Sequence, residues 1–60
     1  MSVVALRKEW VEVWFGRLDG SPRWFVEHCF DGGKMIVSDR ASETEAIADA
    51  RDFDLPVIRV

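Results

Sequence analysis

Sixty residues carrying a net charge of −3 amount to one small domain, residues 1–60, with too little positive charge for a general nucleic-acid binder. A hydrophobic content of 48%, with three Trp and four Phe, excludes disorder, while one Cys and one His exclude an internal disulfide and a metal site completed within a monomer, so no cofactor is expected. No apolar run approaches the roughly 18 residues of a membrane span, and the start MSVVALRKEW lacks the basic-then-apolar order of a signal peptide, so a cytoplasmic protein with no membrane partner is expected.

Val3 to Leu6 is an optional first strand. From Trp10 to Leu18 the chain is rich in Trp, Val and Phe, a strand composition. Asp19-Gly20-Ser21-Pro22 is a turn signal, and Pro22, lacking an N–H for a ladder, is assigned to the loop. Arg23 to Phe30 is a second strand. Gly32-Gly33 is read as a two-residue turn that sets Asp31 opposite Lys34, and Met35 to Ser38 is a short third strand. Ser42 and Glu45 then have the spacing of a capping box, and Ala46, Ile47, Ala50 and Phe53 recur on one helical stripe, which predicts a helix over 43–52. Leu55-Pro56 ends it, because the residue before Pro avoids the helical region, and Val57 to Val60 adds an edge strand. The fold class is α+β, in the order β-β-β-α-β: a three-stranded antiparallel meander, one helix on one face and a short C-terminal strand.

Strand pairing distributes the side chains. A four-residue first loop sets Leu18 opposite Arg23, and residues opposed across a ladder share a face. One face then collects Val11, Val13, Phe15, Trp24, Val26, Phe30, Met35 and Val37, with His28 opposite Val13; it forms the core beneath the helix. The second face collects Trp10, Trp14, Leu18, Phe25, Cys29 and Ile36, mixed with Glu12, Arg23 and Glu27. One helix cannot cover both sides of a sheet, so something is expected to cover this aromatic patch: Val3 to Leu6, a second copy, or a ligand. The negative charge lies elsewhere. Residues 1–34 are neutral, whereas Asp39, Glu43, Glu45, Asp49, Asp52 and Asp54 outnumber Arg40, Arg51 and Arg59 in the remainder.

None of the reactive residues forms a catalytic constellation. His28 and Cys29 are strand neighbours and project to opposite faces, which separates a nucleophile from its base; His28 reads as a core or rim histidine and Cys29 as a small buried apolar residue. Asp31-Gly32-Gly33 precedes a strand rather than the helix a phosphate cradle needs, so it reads as a turn. Glu12 and Glu27 share a face but are offset in this register, and read as solvated charges. Trp10, Trp14 and Phe25 beside Arg23 have the means to stack nucleobases, yet the same residue types dominate protein interfaces, and the two glutamates repel phosphate.

The stretch from WVEVWFGRLDG to SETEAIADAR, a meander followed by a helix opening with Ser-x-x-Glu-Ala-Ile, resembles the arm-type N-terminal DNA-binding domains of phage integrases. That resemblance implies a sheet entering the major groove, with Arg7, Lys8, Arg17 and Arg23 as the cations available for contact. The chain departs from it by lacking basic residues along the strands and by adding LPVIRV. A strand after the helix is more similar to the small β-β-β-α-β domains of HicB-type antitoxins and other small bacterial proteins. Two functions follow as expectations. The first is a non-enzymatic protein-interaction module, acting as a homodimer or through a protein partner by way of Trp10, Trp14, Leu18, Phe25 and Ile36. The second is a sheet-based DNA or RNA binder.

Overall fold

In the computed structural model, which describes residues 8–60, four strands and one helix follow the expected order: β1 (Glu9–Leu18), β2 (Ser21–Phe30), β3 (Gly33–Arg40), α1 (Glu43–Arg51) and β4 (Val57–Arg59). The sheet order is β3-β2-β1-β4. The first three strands form the antiparallel meander, and α1 carries the chain across one face so that β4 lies parallel to β1. Val11 N–H donates to the Pro56 carbonyl (2.9 Å) and Val60 N–H to the Val13 carbonyl (3.0 Å), tying the C-terminal strand to the edge of β1. Val3 to Leu6 and Arg7 lie outside the described residues.

The first hairpin turns more tightly than the sequence suggests, and the second turns one residue earlier with a loop of the expected length. Asp19 and Gly20 both have positive φ, 53° and 81°, the pair of left-handed residues that a type I′ turn demands and that matches the twist of the strands. Leu18 therefore faces Ser21, and Pro22 belongs to β2 opposite Arg17. Pro22 costs no ladder bond. Leu18 and Ser21 close the hairpin as a hydrogen-bonded pair, so the next pair exchanges none, and the proline nitrogen points toward β3, which reaches only as far as Arg40 opposite Trp24. In the second hairpin the turn is Asp31-Gly32, with Gly32 at φ 98°, so Gly33 faces Phe30 and Lys34 faces Cys29. Each register differs from the expected one by two residues. Side chains alternate with period two, so the residues of these ladders as far as Ile36 keep their expected faces while their partners change. His28 faces Val11 rather than Val13.

A β-bulge between Ile36 and Ser38, opposite Val26 and Glu27, makes Val37 the extra residue and reverses the alternation beyond it. Val37 is consequently a half-exposed bulge residue and not part of the core. The bulge also turns Ser38 and Arg40 toward the helix. Ser38 Oγ donates to Asp49 (3.1 Å), and the Arg40 guanidinium spans both Asp49 oxygens at 2.6 and 3.2 Å. Arg59 on β4 pairs with Glu43 (2.8 Å) and lies over the Trp24 ring, so each edge strand holds one end of the helix.

The helix starts as the sequence indicates. Ser42 is the N-cap, its hydroxyl accepting the Glu45 N–H, with Glu43 and Glu45 in the first turn where the dipole favours negative charge. It ends at Arg51 through tightened bonds from Asp52, Phe53 and Asp54 N–H to carbonyls three residues back. Ala46 and Ala50 are fully buried, and their small side chains let the helix lie close to Val11, Val13 and Val26, which are also fully buried. Trp24, Ile47, Leu55 and Val57 border this cluster. Nine residues of helix cover only the middle of the sheet. Phe15 and Met35 share the helix face but lie beyond its ends, more than half exposed, and Phe53, past the last turn, is 36% exposed with its ring against His28. The core is thus smaller than the composition implies.

Two outcomes follow. Val26→Ala removes apolar volume from the closed centre and is expected to cost about 2 kcal/mol, whereas Val37→Ala should cost less than about 0.5 kcal/mol; urea unfolding should show a lowered midpoint for the first alone. The hydrogen-bonded Arg40 guanidinium holds the Asp49 carboxyl below its ordinary value of 3.8, outweighing the opposing effect of burial, and Ser38 adds a weaker lowering. A depressed folded value stabilises above the unfolded pKa, and the gain is lost as pH falls through the folded one. Asp49→Asn should therefore lower the melting temperature near neutrality, and the gap from the parent should close as melts are run below pH 3.8.

Candidate functional site: the aromatic and carboxylate face

The sheet face away from the helix takes its residues from alternate positions. β1 contributes Trp10, Glu12, Trp14, Gly16 and Leu18; β2 contributes Arg23, Phe25, Glu27 and Cys29; β3 contributes Lys34 and Ile36; β4 contributes Ile58 beside Glu12. Of the residues expected to form an interaction surface, Trp10, Trp14, Leu18, Phe25 and Ile36 all lie here. They do not behave alike. Phe25 is 7% exposed, and Trp14 stacks on it with ring centroids 4.5 Å apart, since the two are direct cross-strand partners. Leu18, Ile36 and Ile58 are each almost half exposed and form a rim.

Gly16 makes room for that stack. A Cβ there would meet the Trp14 ring at 2.8 Å and the Phe25 ring at 3.1 Å, so only glycine lets the indole lie down over β1. Part of the face is thereby covered by its own side chains. Beside β4, a shallow groove of about 440 Å³ opens between Lys8, Glu9, Trp10, Pro56 and Ile58.

The centre of the face is acidic. Glu12 and Glu27 are direct cross-strand partners, not offset, and both are half-buried rather than fully solvated. Each accepts an indole N–H, Glu12 from Trp10 (2.9 Å) and Glu27 from Trp14 (3.1 Å). Among the described residues neither forms an ion pair with Lys or Arg. Like charges directly opposed in a ladder destabilise it, whereas favourable cross-strand pairs contribute roughly 0.2–1 kcal/mol. The signal for this pair was present in the sequence, as two tryptophans each two residues from Glu12, but it becomes a site only once the register is known.

Cys29, opposite Trp10, is 1% exposed, and its Sγ donates to the Glu27 carbonyl (3.8 Å). Burial first, then Glu12 and Glu27, push its thiol above the ordinary 9.0, so it is not a thiolate near neutral pH. His28 lies on the opposite face at a half-buried position, its Nε2 3.0 Å from Glu9 Oε1 and its ring against Phe30 and Phe53. Cys29 and His28 are separated by the sheet, and no group of three or more metal-binding side chains occurs among the described residues. No helix among them is long and apolar enough to cross a membrane.

Among the described residues, the cations expected for nucleic acid are not gathered at the centre of this face. Arg17 belongs to the helix side by alternation and bonds the Gly20 carbonyl (3.2 Å) in its own turn. Arg23 is on the aromatic face but pairs with Asp39 at 2.8 Å, which the bulge brings there. Lys8 precedes β1, is exposed, and stands at the edge of the face in the groove with Trp10 and Ile58.

Replacing either central glutamate by glutamine retains an oxygen for the indole N–H and removes the opposed charge. Glu27→Gln is therefore expected to raise stability by a few tenths to about 1 kcal/mol, read as a higher urea midpoint; a fall would show that the charges are not in conflict.

No family model, curated protein or solved structure matches the chain, so the residues of this face carry the functional argument by themselves.

Proposed function

We propose that this chain is a non-catalytic protein-interaction module that works through the face bearing Trp10, Trp14 and Phe25. The supporting observation is the rim: Leu18, Ile36 and Ile58, all nearly half exposed, surround half-buried indoles on a sheet face that the one helix does not reach. Half-exposed aliphatic side chains around aromatic anchors are the composition of a docking patch, where burial of the anchors supplies most of the affinity. The occupant is a partner protein. A two-fold axis through the middle of the face would set the Glu12–Glu27 pair against its own image and add like charge to like, so a second copy fits this surface less well. The same two carboxylates would repel a phosphate backbone.

A photo-reactive residue at Ile58 should cross-link a discrete protein in cells that make this chain, and the yield should collapse when Trp14→Ala is added. The same residue at Glu45, on the outer side of the helix, should give none. A cross-linked species of twice the chain's mass would make the partner a second copy, and recovery of nucleic acid at position 58 would overturn the reading.

A further inference from the structure

The chemistry of the face narrows what its partner presents. Resting on the reading of this face as a docking surface, we propose that it receives an arginine side chain of the partner, seated over Glu12 and Glu27 between the indoles of Trp10 and Trp14. Directly opposed residues have Cβ atoms about 5 Å apart, so the two carboxyl groups at the centre of the face share one small region. They carry two negative charges there, and the donors they receive from the chain are neutral indole N–H groups. The charged neighbours do not neutralise them: Arg23 is engaged by Asp39, and neither Lys34, opposite Cys29, nor Lys8, in the groove beside Trp10, pairs with either glutamate among the described residues.

A guanidinium meets both requirements of such a place. Its planar fork presents five donors, enough to reach two carboxylates at once, and it stacks on aromatic faces while being more weakly hydrated than an ammonium. The indoles have spent their N–H groups on the glutamates, which fixes the rings and leaves their π faces as the remaining recognition surface. Trp14 lies against Phe25 and over Gly16 on one side and stays partly exposed on the other. An anionic residue is repelled here, and a neutral one packs on the rings but leaves the two like charges unrelieved. A cation both removes the repulsion between Glu12 and Glu27 and uses the rings, and the aliphatic rim accepts apolar residues flanking it in an extended segment.

The full chain, labelled with ¹⁵N, offers a direct readout in its three indole N–H resonances. It is titrated with two capped peptides, acetyl-Leu-Arg-Leu-amide and its isosteric neutral counterpart with citrulline in place of Arg. The arginine peptide is expected to shift the Trp10 and Trp14 resonances saturably and at least about tenfold more tightly than the citrulline peptide, leaving Trp24, on the helix side, unmoved. Doubling as a control for folding, the backbone spectrum of Glu12→Gln/Glu27→Gln should stay native while its preference for arginine disappears. Equal binding of the two peptides at Trp10 and Trp14 would leave the docking surface standing and overturn the arginine. A response of neither indole to either peptide would overturn both. A preference that survives the double substitution, or indole shifts that follow protein concentration and ignore the peptides, would overturn the proposal, the latter in favour of a second copy.

Discussion

Everything distinctive about this domain depends on the turn at Asp19-Gly20. Two successive residues with positive φ close the β1–β2 hairpin without a spare residue, and that fixes which side chains stand opposite one another for ten consecutive pairs. The tight turn sets Trp14 against Phe25 and Glu12 against Glu27. A hairpin longer by two residues would leave the same residues on the same faces and yet dissolve both pairs. Composition of a face and constitution of a site are therefore different properties, the first set by parity and the second by register.

The two faces solve different problems. On the helix side, three valines and two alanines make a small closed centre, and the polar contacts stand at its margins: Arg40 and Ser38 on Asp49, Arg59 on Glu43, His28 beside Glu9. These surface pairs contribute little energy individually but orient a helix of nine residues that has few apolar contacts to locate it. The bulge at Val37 is the device that makes the arrangement workable. It moves Ser38 and Arg40 to the helix side and sends Asp39 to Arg23 on the other, so one extra residue supplies partners to both faces.

On the open side, aromatic rings lie along the sheet instead of standing away from it. Gly16 permits this for Trp14, and the indole N–H groups reach the carboxylates. The result buries Phe25 and Cys29 without a second layer of structure. It also holds two like charges together at a cost to stability that the fold does not require, since neutral residues could accept the same hydrogen bonds. It is a local expense carried by a chain of 60 residues with a small core.

The sequence by itself determined the element order, the Ser42 cap, the end of the helix before Pro56 and the assignment of nearly every strand residue to its face. These rest on local rules: turn-forming residues, a capping hydroxyl, and alternation with period two, which survives any slip by an even number of residues. Tertiary structure decided the rest. Loop length could not be told from Asp-Gly-Ser-Pro alone, because whether Pro22 can enter a strand depends on whether β3 extends alongside it. Val37 could not be recognised as a bulge from a run of apolar residues, and Phe15 and Met35 could not be known to lie past the ends of a helix whose position is set by Arg40 and Arg59. The opposed glutamates, above all, are invisible in a linear reading: they are 15 positions apart, and only the hydrogen-bonded register of two strands makes them neighbours.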